Sequence, residues 1–238
     1  MAGTVSVAGL AAMYLRRIRL ARTIASRAVC AQSHPPNARA TVLVLGDSTG
    51  VGVGATTPED SVAGRIAAAF PDTRVFNYAR SGACVHDVLA QLDRHGAQPA
   101  DMVLIQASAN DVVDAKDVSA VEADLRLAIG RAQALGALVA LMPGCNFVFA
   151  PFFKPFFASS MATRAHRMHA MVQRVAESTG ALYVDLFHLK PADPFFREGS
   201  RYFCADGLHP SGEGYRIWFE ELMRKVPLAE MLALREAA

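Results

Sequence analysis

The sequence predicts an α/β fold built on a parallel sheet, and three observations carry that expectation. Short β-branched or apolar runs alternate with longer amphipathic stretches, the pattern of strands joined by helical crossovers. Those runs are mostly apolar along their length, as in strands covered on both faces. With 238 residues, 52% of them hydrophobic and only 19% charged, the chain can bury a sizeable core as one large domain or two small ones, and disorder is excluded for most of its length.

Ahead of the first strand lies an apolar run over residues 5–15, shorter than the roughly 20 residues a helix needs to cross a bilayer. A secretory leader carries its positive charge before its apolar stretch, whereas Arg16, Arg17, Arg19 and Arg22 follow this one. Wound as a helix, residues 10–28 put Leu10, Tyr14, Ile18, Ala21 and Ala25 on one side. Arg16, Arg19, Arg22 and Arg27 fall mostly on the other. Such a basic amphipathic helix points to peripheral contact with an anionic membrane through residues 5–28; the competing reading is a poorly ordered extension. Pro35, Pro36 and Asn37 stop any helix, so residues 32–38 read as a linker. The expected division is an extension and linker over 1–39 and a folded domain over 40–238.

Five strands are expected over residues 41–45, 73–78, 102–107, 138–142 and 182–185. Two helices should open on capping boxes, Thr57-Pro-Glu-Asp60 and Ser119-Ala-Val-Glu122, the second running toward residue 135. Further helices are expected over 85–94, 160–179 and 212–225.

All six charged residues before Asp47 are arginines, and beyond them 18 basic residues face 22 acidic ones. A body of net charge −4 is a poor match for nucleic acid, which needs clustered Lys and Arg on a folded face. Cysteines at 30, 84, 145 and 204 lack the paired spacing of zinc or redox sites, and no leader pattern precedes them. Together these favour the cytoplasm, with contact at the inner membrane surface. His166 and His169 lie three apart without a third ligand nearby and read as two polar residues on a helix face.

In an open parallel sheet, ligands bind beyond the carboxyl ends of the strands. After the first strand comes Gly46-Asp47-Ser48-Thr49-Gly50-Val51-Gly52-Val53-Gly54. Its spacing fits neither phosphate-binding glycine pattern. It does match G-x-S-x-G, but the strands that precede such an elbow in an α/β-hydrolase are missing here. After the second strand comes Asn77-Tyr-Ala-Arg-Ser-Gly82, after the third Ser108-Ala-Asn110-Asp111, and near the C-terminus Asp206-Gly-Leu-His209-Pro210. In order and spacing, Gly46-Asp47-Ser48, Gly82, Asn110-Asp111 and Asp206-x-x-His209 resemble the four blocks of the SGNH hydrolase family of GDSL-type esterases. The resemblance spans residues 40 to about 222. It implies a three-layer α/β/α sandwich with a five-stranded, parallel, flavodoxin-like sheet, and metal-independent hydrolysis of a small-molecule or lipid ester without a cofactor.

Within that resemblance Ser48 is the candidate nucleophile. A serine hydroxyl is weakly nucleophilic at neutral pH and needs a base within reach, here His209, itself oriented and charge-compensated by Asp206. The resemblance assigns the oxyanion donors to the Ser48 N–H, the Gly82 N–H and the Asn110 side-chain amide, with Asp47 and Asp111 tying loops together. A rival base exists: Asp185-Leu-Phe-His188 also reads D-x-x-H after a strand, but only the second copy has the family's flanks and precedes the last helix. One departure stands out. The family's third block usually has glycine two residues before the asparagine, where this chain has Ser108, so the loop is either reshaped or given another polar contact.

Six of the 13 phenylalanines fall within residues 147–157, interrupted by Pro151 and Pro155 and placed on the active-site side. They line an acyl-chain pocket or touch lipid, or else fold inward as a small core beneath a long loop. The expected activity is that of a carboxylesterase, lipase or lysophospholipase. The alternatives are a carbohydrate O-deacetylase of the same family and a catalytically silent member that binds lipid or a partner.

Overall fold

The structure, a computed structural model, describes residues 7–153, 158–188 and 192–233. In chain order the elements are α1 (Val7–Arg27), β1 (Ala40–Gly46), α2 (Ser48–Val51), α3 (Val62–Ala69), β2 (Thr73–Asn77), α4 (Asp87–His95), β3 (Met102–Gln106), α5 (Ala109–Val113) and α6 (Val118–Ala134). There follow β4 (Leu138–Leu141), α7 (Ala158–Thr179), β5 (Leu182–Tyr183), α8 (Pro194–Arg197), α9 (Gly199–Tyr202), α10 (Gly212–Lys225) and α11 (Leu228–Ala233). The five strands pair in parallel in the order β2-β1-β3-β4-β5, the flavodoxin-like arrangement. Helix α6 packs against both α4 and α7, and α3 packs with α10, giving the sheet its two helical layers.

Position in the sheet explains the side chains. Central β3 is buried at every residue of Met-Val-Leu-Ile-Gln, whereas edge strand β2 alternates between buried and half-buried positions. The edge of β2 is not left bare. Ser33 bridges Val75 in antiparallel fashion, and the Gln32 side chain donates to the Asn77 carbonyl at 2.7 Å and accepts from its N–H at 3.0 Å. A side-chain amide thus imitates one more strand residue and closes a sheet edge that would otherwise offer unpaired groups.

The boundary expected near residue 40 moves accordingly, because residues 7–39 belong to the same folded body. Ala21 and Ala31 are buried in the main core, with Tyr14 and Ile18 packed against it. Ile24, Ala25 and Ala28 pack on Val51, Val53 and Ala79. The apolar face of α1 read from the sequence is therefore spent on the domain, while Arg16, Arg19 and Arg27 face outward. Among the described residues no helix is long and apolar enough to cross a membrane.

Two helix starts differ from the expected capping boxes. Residues 58–60 form only a 3₁₀ turn, and α3 begins after Ser61, whose hydroxyl accepts from the Gly64 N–H. Helix α6 is capped by Asp117, which accepts from the Ser119 and Ala120 N–H groups, and not by Ser119. In both cases a second competent cap lay within four residues of the one chosen. His169, read as one of two polar residues on a helix face, turns inward. It is buried, bonded to the Tyr183 hydroxyl at 3.1 Å and packed on Phe187, and burial lowers its pKa to about 3.

Candidate active site

The site begins where β1 ends. Gly46 has φ +130°, and a Cβ there would lie 1.9 Å from the Gln106 carbonyl oxygen on β3, so only glycine fits. Gln91 of α4 grips its backbone, accepting from the Gly46 N–H at 2.6 Å and donating to its carbonyl at 2.9 Å. The Asp47 N–H donates to Gln106 at 2.8 Å. Asp47 is buried and accepts from both the Thr49 N–H and hydroxyl at 2.8 Å, forming the cap of α2. Burial lifts its carboxyl to about 6 against the pull of those bonds. Ser48, the first residue of α2, is thereby held on a rigid turn with its hydroxyl at the surface of a cavity.

On the far side of that cavity mouth, Asp206 and His209 share one turn before α10. His209 Nε2 lies 3.0 Å from Ser48 Oγ, and His209 Nδ1 lies 2.7 Å from Asp206 Oδ2. The other carboxylate oxygen accepts from the Leu208 N–H at 2.8 Å, the His209 N–H at 2.9 Å and the Cys204 thiol at 3.1 Å. Burial would raise the Asp206 carboxyl, but the His209 side chain and these backbone donors outweigh it and hold it at about 2. Burial lifts the Cys204 thiol to about 12, so it stays protonated and able to donate. An ionised Asp206 fixes the proton of neutral His209 on Nδ1 and leaves Nε2 as an acceptor facing the serine hydroxyl. Such a line can draw the proton from Ser48 as its oxygen forms a bond to carbon.

Two further loops converge here. Gly82, at φ +81°, is exposed, and a Cβ on it would meet nothing within 4 Å. Neither the Ser48 nor the Gly82 N–H donates to another backbone group among the described residues. Asn110 gives one amide hydrogen to the Ala83 carbonyl at 2.9 Å, which ties it to the Gly82 loop and leaves its second hydrogen available. Asp111 is buried and accepts from the Val85 N–H at 3.0 Å, fastening the same two loops from behind. The rival pair lies elsewhere. The His188 carbonyl accepts from Asn146 at 3.2 Å, and its ring lines a separate cavity with Asp193 and Glu221. Asp185 accepts from the Phe187 N–H at 2.9 Å.

The cavity holding Ser48, His209, Gly82 and Asn110 has a volume of about 500 Å³. Its walls include Val113, Leu208, Trp218 and the phenylalanines Phe147, Phe152 and Phe153. Those three rings are each less than a tenth exposed, so they are at once part of the core and part of the cavity wall, uniting two readings the sequence left apart. Phe156 and Phe157 lie outside the described residues. Tyr14, Ile18 and Arg22 of α1 also line the cavity, which the sequence did not suggest.

Ser108 explains its own oddity. It caps α5 with φ 111° and ψ −16°, is buried, and is one of two non-glycine residues with positive φ among those described. The conformation that glycine would adopt freely is kept, and the serine is strained into it. Ser108→Gly is expected to raise stability by about 0.5–1 kcal/mol, strain relief exceeding the added chain entropy of glycine. The midpoint of urea unfolding reads this, and a lower midpoint would mean that the hydroxyl holds the loop.

Residues 44–217 match the GDSL-like lipase/acylhydrolase family. Among solved structures, a lipolytic protein of the G-D-S-L family from Veillonella parvula superposes with a TM-score of 0.63 at 15% identity, covering 77% of this chain and 96% of that one. TesA gives 0.59 at 22% identity over 77% and 96%. The acetylxylan esterase Axe2 from Geobacillus stearothermophilus gives 0.56 at 23% over 79% and 94%. At such identities these likenesses concern the fold. No curated protein matches the chain by sequence.

Proposed function

Because the chain belongs to the GDSL-like lipase/acylhydrolase family of SGNH hydrolases, we propose that it is a serine esterase that hydrolyses carboxylic esters through an acyl-enzyme on Ser48. The observation that carries this reading is the unbroken line of hydrogen bonds from Ser48 through His209 to Asp206, opening into an apolar cavity. His209 takes the hydroxyl proton as Ser48 Oγ bonds to the carbonyl carbon, and Asp206 stabilises the imidazolium that results. The Ser48 and Gly82 N–H groups and the free Asn110 amide hydrogen receive the negative oxygen, each such donor being worth about 10²–10³ in rate. His209 then gives its proton to the departing alcohol oxygen. Water, deprotonated by the same imidazole, attacks the acyl carbon and releases the acid and Ser48.

The aromatic and aliphatic lining favours a carboxylesterase, lipase or lysophospholipase over a deacetylase acting on sugars, because an acyl chain gains from leaving water where a sugar must keep its hydrogen bonds. The reading is tested with p-nitrophenyl acetate, butyrate and octanoate in the presence of EDTA, alongside an alkyl fluorophosphonate. Turnover that prefers the longer esters, and stoichiometric phosphonylation of Ser48 seen by mass spectrometry, are expected. No hydrolysis of any of the three together with an unlabelled Ser48 would sink it and favour a silent binding protein.

A further inference from the structure

The family match begins at residue 44, so α1 lies outside it, yet α1 reaches the cavity of Ser48. Its seat is well defined. The Tyr14 ring packs 5.5 Å from that of Phe152 with a 59° tilt, and Arg17 donates to the Phe152 carbonyl at 3.1 Å. Further along, Ala21 is buried in the main core. Beyond that, Ile24, Ala25 and Ala28 lie on Val51, Val53 and Ala79, the layer beneath the loop that carries Ser48. Between these anchors the helix presents Tyr14, Ile18 and Arg22 to the cavity. Their spacing of four residues places them on one ridge.

We propose that this ridge is a substrate-binding wall, and that Tyr14 and Ile18, together with the Phe147, Phe152 and Phe153 rings, set the acyl-chain length the enzyme accepts. The inference rests on the ester-hydrolase reading of Ser48 and adds that selection lies partly in a helix outside the residues the family shares. The catalytic loops are held by backbone bonds and special glycine conformations, which leave little room for variation. A helix docked through side chains can change its inward residues without disturbing Ser48, His209 or Asp206. Each methylene buried against such a wall is worth roughly a factor of four in binding, so a wall a few carbons long is enough to select. Ile18→Phe should fill the cavity and Tyr14→Ala should open it.

The experiment compares kcat/KM for p-nitrophenyl acetate, butyrate, octanoate and decanoate with full-length wild type, Ile18→Phe and Tyr14→Ala. Stoichiometric labelling of Ser48 by a small fluorophosphonate in both variants registers an intact catalytic centre. The octanoate-to-acetate ratio should fall tenfold or more in Ile18→Phe and shift toward decanoate in Tyr14→Ala. Unchanged ratios in both, or an equal loss on all four esters, would overturn the proposal. Should Ile18→Phe lose the Ser48 labelling through misfolding, Ile18→Ala, which opens the wall, replaces it with the opposite sign expected. A failure of the esterase reading itself looks different, because wild type then turns over nothing. The wall is still tested in that case, since Trp218, the chain's single tryptophan, lines the cavity. Its fluorescence reports 2-decanone binding, which Tyr14→Ala should alter several-fold, and equal affinity in the two proteins would overturn the inference.

Discussion

Ser48→Ala and His209→Ala are each expected to lower kcat on p-nitrophenyl esters by about 10⁴-fold or more, with His188→Ala staying within about twofold of wild type. A loss of that size is about 5.5 kcal/mol of transition-state stabilisation, more than either residue could contribute through packing at a partly open site. In the proposed reaction Ser48 supplies the oxygen that bonds to carbon, and His209 Nε2, 3.0 Å away, is the base that faces it. Because the two act as a unit, the double variant should lose little more than either single one. His188 offers the internal comparison. It repeats the D-x-x-H pattern, but its ring lines another cavity, so its removal leaves the proton path whole. A large loss in His188→Ala with activity retained in His209→Ala would reverse the assignment of the base.

Why the placement of His209 was legible and that of α1 was not follows from what each signal encodes. Gly46, Gly82 and the Asp206-to-His209 turn answer local backbone needs: a φ of +130°, a left-handed bend, a carboxylate accepting from the amides two and three residues on. Local needs leave local residue patterns. An amphipathic helix, by contrast, announces an apolar face without naming what covers it. Tyr14, Ile18 and Ala21 were visible as one face, which the sequence offered to a membrane surface or left as an extension; only tertiary packing shows it set against the domain. The same limit moved the caps. Thr57 and Ser119 satisfy the local pattern, yet Ser61 and Asp117 are equally good acceptors, and it is they that cap α3 and α6. Ser108 lies between these cases. Its departure from glycine was plain, but only its φ of 111° shows that the backbone kept the glycine conformation and the side chain bears the strain.

Asp206→Asn should cost about 10⁴-fold in kcat with KM little changed, although it alters no more than one atom's identity. The reason lies in the three donors that fix the orientation of this side chain. The Leu208 and His209 N–H groups and the Cys204 thiol all point at one carboxylate oxygen, so the asparagine must keep its own oxygen there. Its amide nitrogen is then forced toward His209 Nδ1, 2.7 Å away in the native pair. Two donors cannot share that contact, so Nδ1 gives up its hydrogen and the imidazole carries its proton on Nε2. Facing Ser48 as a donor, it can no longer take the hydroxyl proton. The pH behaviour carries the same sign. The folded Asp206 carboxyl, at about 2, lies below its ordinary value of about 3.9. Its contribution to stability is therefore complete above that ordinary value and lost as pH falls through about 2. Comparing acid unfolding of wild type and Asp206→Asn checks this: the variant should be less stable near pH 7 and converge with wild type near pH 2. A kcat within tenfold of wild type would show that the carboxylate does not set the tautomer, and the proton path would then have to be rebuilt around another partner of His209.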